Sequence, residues 1–351
     1  MQAPTLRYLS ATNEGDAVAL MAGVTLGGRR GVTMMQNSGL GNAVSPLTSL
    51  TWTFKLPQLL IITWRGEPGV ADEPQHALMG PITPAMLDTM EIAWEKFPTE
   101  REAIGPALAR AVAHMDATGR PYALLMSKGS VAPYTLEAAP PLRRETRCTA
   151  APWTADSAVS TLPSRQQALQ RVMARTPLEG SVVLASTGFC GRELYALEDR
   201  ANQLYMVGSM GCIAVLALGL ALARPDLRVL AVDGDGAALM RMGAFATLGA
   251  YGPPNLFHLL LDNGAHDSTG GQATVSPNVS FAAIAAACGY AWAEEGDQLD
   301  IVDALLDADA AAGPRFARLA IRTGTPDGLP RPTVTPVQVK QRLQRHLAGS
   351  V

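Results

Sequence analysis

The sequence predicts an α/β protein of two domains, each a mostly parallel sheet flanked by helices. Three observations carry this. Short apolar, β-rich runs stop abruptly at small or polar residues and are followed by helix-compatible stretches, the rhythm of βα units. Residues 138–165 are rich in Pro, Ala, Ser, Thr and Arg, a linker composition. A chain of 351 residues is long enough for two cores. The expected units are a first domain over 1–137, a linker over 138–165 and a second domain over 166–351.

In chain order, first-domain strands are expected at 6–11, 32–36, 59–64 and 122–127, and second-domain strands at 181–185, 204–207, 228–232, 256–261 and 316–321. The apolar run 211–223 is too short to span a bilayer and reads as a buried helix. Another helix is expected over 237–248. Composition is ordinary globular, 48% hydrophobic and 17% charged with a net charge of −3, so nothing points to nucleic acid or an anionic membrane as partner. Cys148, Cys190, Cys212 and Cys288 lie far apart, which suits reduced thiols better than zinc ligands or disulfides. The first sixteen residues lack the apolar core of a signal peptide. A soluble, cytoplasmic protein is expected.

In open parallel sheets, ligands bind beyond the carboxyl ends of the strands. Asp233-Gly234-Asp235-Gly236 follows one expected strand and Asp262-Asn263 follows the next. A right-handed crossover returns the second strand parallel to the first, so Asp235 and Asn263 emerge at the same sheet edge. A carboxylate, an amide oxygen and a nearby backbone carbonyl form an all-oxygen set suited to Mg²⁺ or Ca²⁺. Gly234 and Gly236 let phosphate oxygens approach the backbone, and the helix that starts at Ala237 turns its N-terminus toward them. A lone Gly-Asp-Gly is most often a turn. A dinucleotide fingerprint is disfavoured, because Leu239 stands where its third glycine belongs, and no P-loop motif occurs. Gly-Asp-Gly, 25 residues, then Asp-Asn resembles the signature of the thiamine-diphosphate enzymes.

The resemblance extends along the chain. TNEGDAVAL (12–20), MQNSGLGNAVSPLTSL (35–50), WRGEPGVADEPQHALMG (64–80), STGFCGREL (186–194), GSMG (208–211), DGDGAALMRMGAFATLG (233–249) and NGAHDSTGGQATV (263–275) resemble the phosphonopyruvate decarboxylases, near relatives of the sulfopyruvate decarboxylases. It implies a pyrimidine-binding domain followed by a diphosphate-binding domain, with thiamine diphosphate and Mg²⁺ as cofactors. It also implies self-association, with each active site shared between subunits. Asp235, Asn263 and the carbonyl of Ala265 would hold the metal, and Thr187, Gly188, Gly234, Gly236 and Ala237 the diphosphate. Met210 would wedge between the cofactor rings, and the Gly208 carbonyl would accept from the aminopyrimidine; a plain core methionine is the rival reading for Met210. Glu14 would meet the pyrimidine N1′, although the local pattern alone suits a first-turn glutamate. Family members usually begin with a β-α unit ahead of Asn13-Glu14-Gly15. Either that unit is missing here or the chain starts late. Phe189, Thr63 and Thr269 also depart from the usual family residues.

The implied chemistry is decarboxylation of a small anionic 2-oxo acid. Glu14, buried beside N1′, would have a raised pKa and share a proton with the ring. Release of the product needs a proton donor, and His266 and His76 are candidates, each equally readable as a structural or surface histidine. A cation paired with the departing carboxylate would stabilise the ground state and oppose the reaction. The cation should therefore grip the phosphonate. Arg65 and Lys128, each straight after a first-domain strand, are the candidates, with solvated surface charge as the rival reading. The resemblance adds Gln36, Asn37 and Ser38 to the substrate-binding set. Two other classes stay open: a non-catalytic subunit of the same fold, and a carbanion-condensing enzyme in the manner of acetolactate synthase.

Overall fold

The computed structural model describes residues 6–135, 147–148, 161–308 and 312–349. In the first half, α1 (Glu14–Leu26), β1 (Val32–Gln36), α2 (Leu40–Pro46), β2 (Leu59–Thr63), α3 (Met79–Thr89), β3 (Ala93–Lys96), α4 (Arg101–Thr118) and β4 (Tyr122–Met126) follow in order. Their four strands form one parallel sheet, ordered β1-β2-β4-β3.

The second half runs β5 (Arg147–Cys148), α5 (Arg165–Arg175), β6 (Ser181–Ala185), α6 (Phe189–Leu197), β7 (Gln203–Tyr205), α7 (Ile213–Ala223), β8 (Arg228–Gly234), α8 (Asp235–Met240) and α9 (Ala244–Tyr251). It continues with β9 (Leu256–Asp262), β10 (Ala265–His266), β11 (Gln272–Ala273), α10 (Phe281–Ala287), β12 (Trp292–Gly296), α11 (Asp300–Asp307), β13 (Arg315–Ala320) and α12 (Pro336–Ala348). Seven of these strands pair in parallel, ordered β5-β12-β13-β9-β8-β6-β7, while β10 and β11 make a small antiparallel ribbon.

The central strands β6, β8 and β9 are almost wholly buried, as a sheet covered on both faces requires. Helix α7, IAVLALGLALA, is buried on every side except at Leu222, because it lies between its own sheet and α1 of the first half. Two glycines set that contact. A Cβ on Gly23 would fall 2.0 Å from the Leu216 carbonyl oxygen, and one on Gly219 would fall 2.0 Å from that of Leu20. The halves therefore share a core: Leu20, Leu26 and Phe54 lie in the same buried cluster as Val215 and Leu218. Among the described residues no helix is long and apolar enough to cross a membrane.

The structure differs from the sequence expectation in three places. The segment 6–11 is not a strand. Ser10 N donates to Tyr251 Oη at 3.1 Å, and just past the segment Thr12 Oγ1 donates to the Gly243 carbonyl at 2.9 Å, so the chain here is tied to the second half. The helix expected over 237–248 begins at Asp235 and breaks at 241–243, where Arg241 turns to donate to Asn13 Oδ1 (2.9 Å) and Asp16 Oδ1 (3.0 Å). Strands β3 (AWEK) and β12 (WAEEG) escape an apolar-run reading because they carry charges on half-exposed positions. Most of the linker expected over 138–165 lies outside the described residues.

Candidate active site

The carboxyl ends of β6, β8 and β9 open onto one cleft. Its lining includes Thr187, Phe189, Met210, Gly234, Asp235, Gly236, Ala237, Asn263, Ala265 and His266. The register that pairs Gly234 with Leu261 brings Asp235 and Asn263 out at neighbouring strand ends, as the β-α-β spacing requires.

Asp235 is 3% exposed, and its Oδ2 accepts from Thr274 Oγ1 at 2.5 Å. Burial pushes its carboxyl pKa up, and the neighbouring Asp262 carboxylate pushes the same way, against the Thr274 hydrogen bond. Asp262 is already compensated. Its oxygens accept from Arg318 Nε and Nη2 (2.9 and 2.8 Å), Ser276 Oγ (2.8 Å) and Gly264 N (3.0 Å). Asp235 lacks a cationic neighbour among the described residues, whereas Asp233, beside it in the cleft, has His258 Nε2 at 3.6 Å.

Asn263 is oriented by a carboxylate. Its Nδ2 donates to Asp267 Oδ2 at 2.7 Å, which also accepts from Arg165 Nη2 (2.9 Å) and Gly324 N (3.0 Å). A carboxylate only accepts, so the amide nitrogen faces Asp267 and Oδ1 lies on the other side, where the Ala265 N–H meets it at 3.2 Å. Arg165 is buried and divides its guanidinium between Asp267 and Glu193. Among the described residues no group of three or more His, Cys, Asp or Glu could hold a metal, so the available donor set is carboxylate, amide and carbonyl oxygen.

Gly236 permits the closest approach in the cleft. A Cβ there would fall 2.4 Å from His266 Cε1 and 3.1 Å from Met210 Cε. Met210 follows Ser209, a non-glycine residue at φ +50°, a strained conformation held from the first half. Ser209 N donates to Ser49 Oγ at 2.9 Å, and the two serine hydroxyls lie 2.7 Å apart. Gly208 packs against the same Ser49.

The other candidates lie outside this cleft within one chain. Glu14 opens α1, half-buried, and its Oε2 accepts from Asn42 Nδ2 at 2.9 Å. Gly39 lies so close that a Cβ would fall 2.2 Å from Glu14 Oε1. At the ends of β1 and β2, Asn37 is completely buried and clamps Arg65. Its Oδ1 accepts from Arg65 N (3.1 Å), and its Nδ2 donates to the Arg65 carbonyl (2.8 Å) and to Thr83 Oγ1 (2.9 Å). Ser38 Oγ donates to Gln36 Oε1 at 2.5 Å. Arg65 Nη2 and His76 Nδ1 both meet Asp72, and Lys128, after β4, is exposed.

Sequence reasoning missed Arg165, Asp267 and Thr274. Arg165 sits at the end of a stretch with linker composition. Thr274 reaches Asp235 because the β10–β11 ribbon folds back over the sheet edge. Asp267, four residues after Asn263 in so polar a stretch, was the one with a readable signal.

Residues 190–319 match the family model of the thiamine pyrophosphate enzyme C-terminal TPP binding domain. The chain is 45% identical over 342 residues to a phosphonopyruvate decarboxylase from Streptomyces viridochromogenes, covering 97% of this chain and 85% of that one. It is 28% identical to a sulfopyruvate decarboxylase from Methanosarcina acetivorans, over 97% and 88% of the two chains. The benzoylformate decarboxylase structure from Polynucleobacter necessarius superposes with a TM-score of 0.70 over 92% of this chain and 93% of that one. At 13% identity this speaks to fold alone.

Proposed function

The chain belongs to the phosphonopyruvate decarboxylase family, and from that premise we propose that it converts 3-phosphonopyruvate to phosphonoacetaldehyde and carbon dioxide, in phosphonate biosynthesis, with thiamine diphosphate and Mg²⁺. The observation that carries the reading is Asp235, buried without a counter-ion among the described residues at a sheet edge it shares with Asn263. The residues fit both groups. A buried carboxylate with an unmet need for a cation, beside an amide and a carbonyl oxygen, suits a hard divalent ion. Gly234, where an added Cβ would meet nothing within 4 Å, and the positive φ of Gly188 leave backbone open toward a diphosphate, while the space at Gly236 is taken by the His266 ring.

When bound, thiamine diphosphate supplies the electron sink for the pair left behind by carbon dioxide. Asp235, Asn263 and the Ala265 carbonyl hold Mg²⁺. Thr187, Gly188, Gly234, Gly236 and Ala237 face the diphosphate, and Met210 with the Gly208 carbonyl holds the aminopyrimidine. Glu14 serves the site of a second copy of the chain, where it holds a proton at the pyrimidine nitrogen. Arg65, helped by Lys128, Gln36, Asn37 and Ser38, receives the phosphonate and leaves the carboxylate free to go. His266 or His76 returns a proton to the product.

A substrate panel tests this. Release of carbon dioxide from phosphonopyruvate, sulfopyruvate and pyruvate is measured in the presence of both cofactors. The highest kcat/KM is expected on phosphonopyruvate. A higher value on sulfopyruvate would reassign the substrate, and no release from any of the three would remove the enzyme reading.

A further inference from the structure

The segment 64–80 is wound around one carboxylate that the reaction leaves without a role. Asp72, with a side chain 12% exposed, accepts from four N–H-bearing nitrogens and faces a fifth nitrogen, His76 Nδ1. Arg65 Nε meets both its oxygens (3.1 and 2.9 Å) and Arg65 Nη2 meets Oδ1 (2.5 Å). The backbone N–H groups of Gly66 (2.7 Å) and Glu73 (2.8 Å) add two more, and His76 Nδ1 lies 3.2 Å from Oδ1. The Arg65 guanidinium, then these backbone N–H groups and His76, hold the carboxyl well below the usual carboxylate range, so it is an anion at any pH of interest.

The winding is tight. Gly66 sits at φ +69°, and a Cβ there would fall 2.2 Å from the His76 carbonyl oxygen. A Cβ on Gly80 would fall 1.7 Å from the Gly66 carbonyl oxygen. Trp64 Nε1 closes the loop on the Gly80 carbonyl at 2.8 Å. Asn37 grips the Arg65 backbone from the other side. The loop is built to place the two side chains that converge on Asp72.

We propose that Asp72 is a positioning residue that decides which atoms Arg65 and His76 present to a substrate. An ionised carboxylate cannot donate, so His76 Nδ1 must carry a proton. Any proton that His76 exchanges then passes through Nε2. The same carboxylate takes Nε and one hydrogen of Nη2 of Arg65, and Nη1 has no hydrogen-bond partner among the described residues. A bound phosphonate therefore meets the end of the guanidinium that Asp72 leaves free, the two Nη1 hydrogens and the second Nη2 hydrogen, held in one orientation rather than in the several an untethered arginine could offer. Two consequences follow: the proton route is single, and selection of a second anionic group depends on Asp72 without contact to it. This rests on the reading of Arg65 and His76 as substrate-facing.

The first test needs no substrate. The holoenzyme is labelled with ¹⁵N-histidine, and long-range ¹H–¹⁵N spectra are recorded at about pH 8, above the ordinary imidazole range. The protein has five histidines, and loss of one signal set in His76→Gln assigns His76. A protonated Nδ1 is expected, and a bare Nδ1 overturns the proposal whether or not any variant folds. The second test compares Asp72→Asn with the unaltered enzyme. The ratio of kcat/KM on phosphonopyruvate to that on pyruvate should fall about tenfold, the scale of a disordered charge-assisted contact. The Kd for thiamine diphosphate should stay within about twofold, which a general loss of structure would not allow. A ratio that falls less than about fivefold overturns the proposal. If the unaltered enzyme does not decarboxylate phosphonopyruvate, the substrate reading fails by itself, and the tautomer result stands apart from it.

Discussion

Asp235 is a residue whose two expected effects have opposite signs. Its pKa is raised in the folded chain, mainly by burial, so the stability it contributes is present while it is protonated and is lost as pH rises through the folded value. At neutral pH the ionised group therefore burdens the cofactor-free protein. Asp235→Asn should raise the Tm of that protein by a few degrees, since about 1 kcal/mol corresponds to about 2–4 °C in a domain of this size. It should also abolish Mg²⁺-dependent binding of thiamine diphosphate measured by calorimetry, with the far-UV circular dichroism unchanged. Ordinary cofactor affinity in the variant would remove Asp235 from the metal site. Arg65→Ala carries a different signature. It should raise KM for phosphonopyruvate by about an order of magnitude while changing pyruvate turnover little. Equal losses on both substrates would point instead to collapse of the loop around Asp72.

The element that joins the halves is the α1–α7 pair, and its two glycines make a sharp test. Gly219→Ala or Gly23→Ala would drive a methyl group into a carbonyl oxygen of the facing helix, and neither backbone can yield without separating the pair. Each should destabilise the protein by about 1–3 kcal/mol, the range for overpacking a well-filled core. Gly105→Ala is the control. It lies on the exposed side of α4 with nothing within 4 Å of the added Cβ, so it should stabilise by about 0.5–1 kcal/mol through helix propensity alone. Thermal melts of the three variants should separate in sign. A neutral Gly219→Ala would mean that the helices are farther apart than the fold places them. The same pairing explains why α7 was readable in advance: a helix apolar on all sides and too short for a bilayer has to be enclosed by protein.

For the whole molecule, the separation of Glu14 from the cleft is the decisive fact. Within one chain the Glu14 carboxylate faces Asn42, while Asp235 and Asn263 line the cleft of the second half. If the site is shared between two copies, Glu14→Gln and Asp235→Ala, each inactive alone, should complement when their subunits are mixed. Each mixed dimer would carry one site with both defects and one with neither. Mixed oligomers confirmed by native mass spectrometry and still inactive would show that the site is not shared in this way.

What the sequence determined by itself was local or nearly so. The βα rhythm placed β1, β2, β4, β6, β8, β9 and β13 to within a residue or two; β6, β8 and β9 are buried on both faces and so must be apolar runs with hard ends, while β1, exposed on one face, is apolar all the same. Asp235 and Asn263 could be paired because a single crossover of fixed handedness joins neighbouring strands, which turns spacing along the chain into proximity. The segment 6–11 defeated the same reasoning, since its apolar pattern is that of a strand, while Ser10 and the adjacent Thr12 tie the chain to Tyr251, Gly243 and Thr247, far along it. Arg165 behind Asn263, Thr274 on Asp235 and Ser49 beneath Ser209 were equally out of reach. Asp72 lies in plain view in the stretch 64–80, yet its task depends on a loop closed by contacts that only glycine allows at 66 and 80. Hydrogen bonds between distant segments leave no periodicity and no spacing behind them. Tertiary structure alone decides which polar side chains meet, because burial forces each of them to find a partner wherever the fold provides one.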